Sequence, residues 1–305
     1  MKKVAVIIIN YNSTDFTISC INSILEKTPE SFEYGIVVVD NNSQIAAYEH
    51  LQEALKDNNK VGIYRSKINL GFSGGNMFGL QHAQAGYYFF LNNDCELLND
   101  NLSMLYDFMQ QHPEAAIACG QMFNTDLSPH HSFNYLPELS LKLFGSGIVR
   151  LFNKESYPKK KATYTQPLKV PLLTGAALFV DYKKLSEVSG LDTNYFLYCE
   201  EEDLARKLKD KGYSCYLVPE AKFVHHMGQS TSRSYDIEKE YYISLLYYHR
   251  KHNNYLAYLL FKGLYFFKNF RKLYKGSLYL KLSLFILRGA PMKYSLKHRQ
   301  QIAPR

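Results

Sequence analysis

Short apolar runs rich in β-branched residues alternate with stretches of helical spacing in the first third of the chain, and this alternation constrains the fold most. The runs are VAVIIIN (4–10), GIVVVD (35–40), VGIY (61–64) and YYFFLN (87–92). Continuous apolar character predicts strands that are buried on both faces. Helices are expected over 14–26, over about 45–57 and from the start of GGNMFGL. The pattern predicts an α/β fold with an open, mostly parallel sheet flanked by helices.

The second half of the chain is less regular. Between 125 and 168, histidines, prolines and a KKK run predict a long loop region rather than a compact domain. Strands are expected again over 170–182, a helix near Glu201, and extended segments over 213–219 and 221–228. There is no internal repeat.

The cysteines and the N-terminus bear on the compartment. Five scattered cysteines form no CxxC pair, which is typical of reduced thiols in a cytosolic protein. The sequence MKKVAVIIINYNS turns polar at Asn10 and has no small-residue cleavage site, so it predicts a first strand rather than a signal peptide. We therefore expect a cytoplasmic protein.

Charge is distributed unevenly along the chain. Residues 241–305 contain 13 Lys plus Arg and no Asp or Glu. Residues 1–240 contain the remaining 23 basic residues and all 28 acidic ones, so their net charge is −5. Lysines interrupt the apolar runs of the tail before they reach the ~18–20 residues that span a bilayer. Interleaved Tyr, Phe, Lys and Arg favour a helical tail on an anionic membrane surface. A helical pair with a solvated basic face is the alternative, and the absence of RNP-like or zinc-finger patterns argues against nucleic acid.

Polar segments follow three of the predicted strands. They are Asn10-Tyr11-Asn12, Asp40-Asn41-Asn42-Ser43 and Asn92-Asn93-Asp94. Each alone is compatible with a turn or a helix cap. Ligands of open parallel sheets bind at the carboxyl ends of the strands, so three such segments together indicate a ligand site.

The glycines of NLGFSGGNMFGL (69–80) do not form a GxGxxG pattern and do not follow the first strand, which weighs against a nicotinamide-dependent oxidoreductase. Glycines at a helix start allow a ligand to approach free N–H groups closely. A tight turn with close helix packing explains the same glycines equally well.

An acidic run, Glu200-Glu201-Glu202-Asp203, follows the apolar and aromatic segment YFLYC. The dipole of a helix N-terminus tolerates such acids, but their buried context favours a general base. His225 and His226 end an apolar run, and without further ligands at the usual spacing they do not form a zinc signature.

The segments VIIINYNS, VVVDNNS, NLGFSGGNMFGL, FLNNDCEL, LLTGAALFV, FLYCEEEDLARKLKDKGY and VPEAKFVHHMGQS occur in this order. Together, over roughly residues 3–235, they resemble glycosyltransferase family 2, in the subgroup that includes rhamnosyltransferases and galactofuranosyltransferases. The resemblance implies a GT-A fold, a nucleotide-sugar donor and inverting transfer to a hydroxyl group.

The resemblance also implies roles for individual residues. Asp94 matches the metal-contacting acid of a DxD-type motif in which Asn92 replaces the first acid, and His225 matches a histidine that joins the metal or the diphosphate. The implied ion is Mg²⁺ or Mn²⁺. Glu201 matches the presumed base, with Glu200 and Asp203 as further candidates. The implied nucleotide-sugar site comprises Asn10, Tyr11, Asn12, Asp40, Asn42, Asn69, Gly71, Phe72, Gly74, Asn76 and Asn93.

These inferences predict a catalytic domain over 1–240, with a nucleotide-sugar half (about 1–120) and an acceptor half (about 121–240), followed by a membrane-associating tail over 241–305. The expected activity transfers a sugar from dTDP-rhamnose or a UDP-sugar to a glycan or polyprenyl-linked glycan during surface polysaccharide synthesis. The expected location is peripheral, on the inner face of the cell membrane. A non-catalytic nucleotide-sugar or glycan-binding protein is the alternative.

Overall fold

The computed structural model describes residues 2–160, 162–226, 234–300 and 302. The strands are β1 (Lys2–Asn10), β2 (Tyr34–Asp40), β3 (Val61–Arg65), β4 (Ala85–Asn92), β5 (Cys95–Leu97), β6 (Ala115–Phe123), β7 (Phe133–Asn134), β8 (Leu168–Val170), β9 (Leu172–Leu173), β10 (Ala177–Asp181) and β11 (Ser214–His225). The helices are α1 (Thr14–Lys27), α2 (Ile45–Leu55), α3 (Gly71–Leu80), α4 (Asn101–Gln111), α5 (Leu139–Phe152), α6 (Tyr182–Glu187), α7 (Glu200–Asp210), α8 (Tyr235–His252), α9 (Tyr255–Phe270) and α10 (Ser277–Leu287).

The main sheet has the strand order β3-β2-β1-β4-β10-β6-β11-β5, with β8 also paired to β11. Strands β1 to β4 are mutually parallel, β10 runs antiparallel between β4 and β6, and β11 returns parallel to β6. All seven residues of β2 are buried, as a strand covered on both faces requires. The predicted α/β fold with a mostly parallel sheet is confirmed.

The strand register brings the polar segments together. Asn10 is opposite Asp40 at the ends of β1 and β2, and Ile9 is opposite Asn92 of β4. All three segments therefore start at the same edge of the sheet, as the sequence predicts.

The prediction of a long loop region between 125 and 168 is wrong in part, because this region contains α5. The helix forms because Leu141 and Val149 pack against the main core and Leu139 packs against the C-terminal helices. Gly145, with a φ of 75°, interrupts its helical geometry. The two extended segments predicted after α7 form one strand, β11, whose register against β6 shifts between Val218 and Lys222. Residues 227–228 of that prediction lie outside the described residues.

The C-terminal helices build a second apolar cluster. Its fully buried members include Tyr195, Phe261 and Ile286. Helix α8 starts at Tyr235, so the predicted boundary at 240/241 falls within it. Among the described residues, none of the helices combines the length and the apolar character that crossing a bilayer requires.

Candidate active site

Asp40 is the centre of the polar network at the end of β2. Its carboxylate is fully buried. It accepts hydrogen bonds from Asn10 Nδ2 at 3.0 Å and from the Ser43 amide at 3.1 Å, and Arg65 Nε lies 3.4 Å from Oδ1. Arg65 compensates the negative charge of the carboxylate, and the hydrogen bonds fix the two strand ends relative to each other. Asp40 thus stabilises the shape of the polar rim, by which we mean the edge of the sheet formed by the polar segments that follow β1, β2 and β4.

The groups that the rim presents to solvent come from the first loop. Tyr11 is 49% exposed. Asn12 has a φ of 54° and bridges the two loops, since its amide donates to Ser43 Oγ at 2.9 Å and its Oδ1 accepts from the Gln44 amide at 2.8 Å. Asn42 also has a positive φ, of 67°. Two non-glycine residues in this sparsely populated conformation mark a loop whose shape is imposed by its surroundings.

The glycine-rich segment is tied to the same rim. Asn41 Nδ2 donates to Asn69 Oδ1 at 3.2 Å and to the Gly71 carbonyl at 3.1 Å. Gly71 has a φ of 70°, and a Cβ there would lie 2.2 Å from the Phe196 carbonyl oxygen. The Phe72 amide donates to that same carbonyl at 2.9 Å. This segment therefore joins the polar rim to the segment that leads into α7.

Other predicted donor-binding residues have structural contacts. A Cβ on Gly74 would lie 2.9 Å from Leu70 Cβ. Asn76 is buried and donates from Nδ2 to the Phe72 carbonyl at 3.1 Å. Asn93 Nδ2 donates to Ser13 Oγ at 2.6 Å and holds the start of α1. Asn76 and Asn93 thus stabilise the fold around the rim, and a contact with a nucleotide-sugar would be a second role for either residue.

The close packing that the glycines also suggested is present further along α3. A Cβ on Gly75 would lie 2.8 Å from Ile9 Cδ1, and one on Gly79 would lie 2.5 Å from Ile7 Cγ2. These two glycines let α3 approach β1 closely.

Asp94 and His225 form a candidate metal site. Asp94 Oδ1 lies 3.1 Å from His225 Nε2, and both side chains are largely buried. The His226 amide donates to the Asp94 carbonyl at 2.9 Å, which fixes the loop against the end of β11. The buried Nδ1 of His225 has no hydrogen-bond partner among the described residues. A carboxylate oxygen and an imidazole nitrogen at this separation fit two ligands of one divalent cation.

Cys95 is a third potential ligand beside this pair. One ligand atom from each of Asp94, Cys95 and His225 lies within 4.8 Å of the other two. It is fully buried, its thiol donates to the Ala176 carbonyl at 3.6 Å, and burial raises its pKa well above the ordinary thiol value. Hard cations such as Mg²⁺ and Mn²⁺ prefer oxygen and nitrogen ligands to sulfur. For such an ion, Asp94 and His225 are therefore the candidate ligands.

The segment Gly175–Ala176 connects this pair to the acidic helix start. The Ala176 carbonyl accepts a hydrogen bond from the Asn92 amide at 2.8 Å. The carboxyl carbon of Glu201 lies 3.4 Å from the position of a Cβ on Gly175. The DxD-type loop and Glu201 therefore contact the same short segment, although more than 100 positions separate them in the sequence.

The entry into α7 is strained, and its acids are buried (Glu200, Asp203) or half-buried (Glu201, Glu202). Tyr198 and Cys199 have φ values of 73° and 65°, so two consecutive non-glycine residues are left-handed. Burial raises the pKa of Glu200, Glu201 and Glu202, and repulsion from Glu201 adds to the effect on Glu200 and Glu202. A carboxylate with a raised pKa is a stronger base than a solvated one.

Asp203 has the opposite environment. It is fully buried and forms ion pairs with Lys251 at 2.6 Å and Lys207 at 3.3 Å, and His252 Nε2 lies 2.7 Å from its Oδ1. Burial raises its pKa, but the hydrogen bonds from His252 and Lys251 outweigh burial and lower the pKa to about 2. Asp203 therefore attaches α7 to α8, which leaves Glu200 and Glu201 as the stronger candidates for a base.

Sequence reasoning missed two contributors to this site. Gly175 lies in the quoted segment LLTGAALFV, but nothing in the sequence signals its contact with Glu201. Arg65 ends β3 directly beside Asp40, and a basic residue at the carboxyl end of a predicted strand was a usable signal.

Comparisons with known proteins agree with this geometry. The sequence profile described as Glycosyl transferase family 2 matches residues 5–187. Rhamnosyltransferase WbbL of Escherichia coli (strain K12) is 25% identical over 233 residues, which cover 73% of this chain and 83% of that protein. N-acetylglucosaminyl-diphospho-decaprenol L-rhamnosyltransferase of Mycobacterium tuberculosis (strain ATCC 25618 / H37Rv) is 38% identical over 61 residues, 20% of each chain.

A crystal structure of GalNAc-T7 with UDP, GalNAc and Mn²⁺ has a similar fold. The TM-score is 0.59 at 17% identity, and the match covers 80% of this chain and 48% of that chain, so this chain spans about half the length of that protein. This likeness confirms the predicted GT-A-like fold.

Proposed function

The chain belongs to glycosyl transferase family 2, and from this premise we propose that it transfers a sugar from a nucleotide-sugar to a hydroxyl group of a glycan or a lipid-linked glycan, with inversion. The first candidate donor is dTDP-rhamnose and the second is a UDP-sugar. The names of two relatives, both rhamnosyltransferases, support the first donor, and the name of one supports a lipid-diphosphate acceptor. The proposed role is in surface polysaccharide synthesis.

One observation carries the proposal. The loop that carries Asp94 contacts Ala176 through the Asn92 amide, and Glu201 contacts the adjacent Gly175, beside the edge of the sheet where the polar rim lies. A transferase of this type needs a group that stabilises a leaving diphosphate and a base for the attacking hydroxyl within one site. These residues supply both.

Asp94 and His225 would hold Mg²⁺ or Mn²⁺, which when bound supplies positive charge beside the leaving diphosphate. Because Asn92 replaces an acid of the DxD-type motif, the site has one negative charge fewer. The rim with Tyr11, Asn12 and Asp40 receives the nucleotide.

Glu201 removes the proton from the acceptor hydroxyl. The hydroxyl oxygen then forms a bond to the anomeric carbon while the bond from that carbon to the diphosphate oxygen breaks, so the electron pair leaves with the diphosphate. A single in-line displacement inverts the configuration at the anomeric carbon. The raised pKa of Glu201 makes it an effective acceptor for this proton.

The proposed location is the cytoplasmic side of a membrane, to which the C-terminal tail contributes. Helix α9 exposes large apolar side chains and the tail contains no acid. The exposed residues include Tyr255, Leu256, Leu260 and Phe267. Such a basic and aromatic surface suits the interface of anionic lipids.

The test measures the release of nucleoside diphosphate from dTDP-rhamnose and UDP-sugars by the full-length protein with Mn²⁺. We expect turnover of one donor, and Glu201→Gln should reduce it by about 10²- to 10⁴-fold while nucleotide binding is retained. Near-normal turnover of Glu201→Gln contradicts the base assignment. The missing acid at Asn92 favours one alternative, a non-catalytic nucleotide-sugar-binding protein, and wild-type binding without any turnover would support it.

A further inference from the structure

A polar cavity of about 300 Å³ lies where α5, α7 and α8 meet. Its lining includes Lys142 of α5, Glu202 of α7 and Tyr241 of α8, together with Lys160. Among the described residues, the lining contains no member of the polar rim and neither Asp94 nor His225. The cavity is therefore distinct from the proposed nucleotide and metal site.

Glu202 brings one end of this cavity next to the proposed base. It directly follows Glu201 in the first turn of α7, and its buried Oε2 has no hydrogen-bond partner among the described residues. In an in-line displacement the acceptor hydroxyl approaches from the side opposite to the leaving diphosphate, so the acceptor needs a site that adjoins the base but is separate from the metal. The cavity meets both conditions.

The other charged groups of the cavity are its two lysines. Lys160 Nζ donates to Asn134 Oδ1 at 3.0 Å and lies 4.9 Å from the centroid of the Tyr135 ring. Lys142 Nζ lies 5.9 Å from the centroid of the Tyr265 ring. Within the described part of the chain, neither lysine is among those that form an ion pair. Two positive charges of one cavity thus lack a counter-charge in contact with them.

The electrostatics of the cavity favour an anion beside these lysines. Burial lowers the pKa of both Lys142 and Lys160, and the positive charges of Lys268 and Lys160 add to the effect at Lys142. Glu202 acts in the opposite direction on Lys142, but burial raises its own pKa well above the ordinary value, which makes it a weak partner. A bound anion would stabilise both ammonium groups, because such contacts are strong where water is partly excluded.

We propose that this cavity is the acceptor site and that it selects an acceptor whose accepting sugar carries a phosphate or diphosphate group, bound by Lys142 and Lys160. The inference rests on the proposed function. The acidic end of the cavity receives the hydroxyl group, and the end with the lysines receives the anion. A volume of about 300 Å³ is at the lower end of small-molecule sites, which suits one sugar with its anionic group rather than a long glycan.

The test is calorimetric binding of glucose 1-phosphate and N-acetylglucosamine 1-phosphate to the full-length protein, compared with the two free sugars. EDTA keeps the Asp94–His225 site free of metal. We expect the phosphorylated sugars to bind more tightly, and Lys142→Gln and Lys160→Gln should each weaken this binding about tenfold or more. The matched control is Lys159→Gln, which removes the same charge one position away from Lys160 and outside the lining, and it should stay within twofold of wild type.

The variant Lys160→Arg keeps the charge and should retain most of the preference for phosphorylated sugars. Equal affinity for phosphorylated and free sugars overturns the proposal, as does an equal loss in Lys159→Gln. Tighter binding of glucuronic acid than of glucose 1-phosphate overturns the phosphate assignment in favour of a carboxylate. Melting temperatures of all variants verify folding.

The two proposals fail in different measurements. If only the inference about the acceptor fails, the wild type still releases nucleoside diphosphate from its donor, while binding of phosphorylated sugars does not depend on Lys142 and Lys160. If the proposed function fails, no donor is turned over with any acceptor, whatever the cavity binds.

Discussion

Glu201 and Asp203 lie two positions apart in α7 but differ in their electrostatic surroundings. Burial raises the pKa of Glu201, whereas His252 and Lys251 help to lower the pKa of Asp203 to about 2. Neighbouring acids whose pKa values are pushed apart commonly divide different tasks between them. At the scale of single residues, this contrast supports the proposed role of Glu201 in proton transfer, whereas Asp203 attaches α8 to α7.

The raised pKa of Glu201 predicts a pH dependence of turnover. The base must be deprotonated to act, so kcat/KM should fall as the pH decreases through the pKa of this carboxyl. Because that pKa is raised, the fall should begin above the ordinary value of about 4.3. A profile of kcat/KM against pH for the preferred donor measures it. An acid limb centred at or below the ordinary value would contradict the role of a buried base.

Single residues were predictable where a segment resembles a family motif. The pairing of Asp94 with His225 follows from such motifs, and the structure brings the two within hydrogen-bonding distance. The contacts of Asp203 with α8 were not predictable, since Lys251 and His252 lie 48 and 49 positions further along the chain and only packing of α8 against α7 brings them there.

At the scale of elements, α7 links the candidate base to the C-terminal helices. Its first turn contacts Gly175, and Asp203 holds the end of α8 through Lys251 and His252. The acidic turn is thus supported from both sides, which fixes the position of Glu201. Loss of the contacts between Asp203 and α8 should therefore first lower the free energy of unfolding.

Asp203 predicts a loss of stability in acid. Its pKa of about 2 in the folded state is below the unfolded value of about 3.9, so the unfolded state binds the proton first as the pH falls. This group should therefore contribute about 2 kcal/mol at neutral pH, lost between about pH 4 and pH 2. Urea unfolding across this range measures it.

The variant Asp203→Asn should be less stable than wild type at pH 7 and should lack this part of the acid dependence. Asp210→Asn is the matched control, because Asp210 is in the same helix but forms an exposed pair with Arg206. An Asp203→Asn protein with the acid dependence of wild type would contradict the assignment.

Elements were predictable where one pattern dominates. The buried runs of β1 and β2 are continuous and apolar, so only a covered strand suits them. Helix α5 was missed because glycines interrupt it and its apolar residues occur on two faces, which obscures the period of an amphipathic helix.

At the scale of the whole molecule, the acidic catalytic part and the basic tail give the chain an electrostatic polarity. The tail packs beside α5, where Lys142 Nζ lies 5.9 Å from the centroid of the Tyr265 ring. A surface of this kind orients a protein on an anionic membrane with its basic side toward the lipid.

This polarity predicts a salt dependence of membrane binding. Raising the ionic strength from about 0.1 M to 1 M shortens the screening length from about 10 Å to about 3 Å, so binding to anionic vesicles should weaken. Apolar insertion persists at high salt, so binding should not vanish. Co-sedimentation over a salt series measures both contributions. Binding that is independent of salt would contradict the electrostatic part.

The most direct test of the central claim is a thermal-shift panel of nucleoside diphosphates and nucleotide-sugars with and without Mn²⁺, on wild type and Asp94→Asn. Binding to the folded state raises the melting temperature by mass action. We predict a shift with one nucleotide that grows when Mn²⁺ is added, and no Mn²⁺-dependent part in Asp94→Asn. The absence of a shift with every nucleotide, or an equal Mn²⁺-dependent shift in both proteins, would contradict a metal-assisted nucleotide-sugar site at Asp94 and His225.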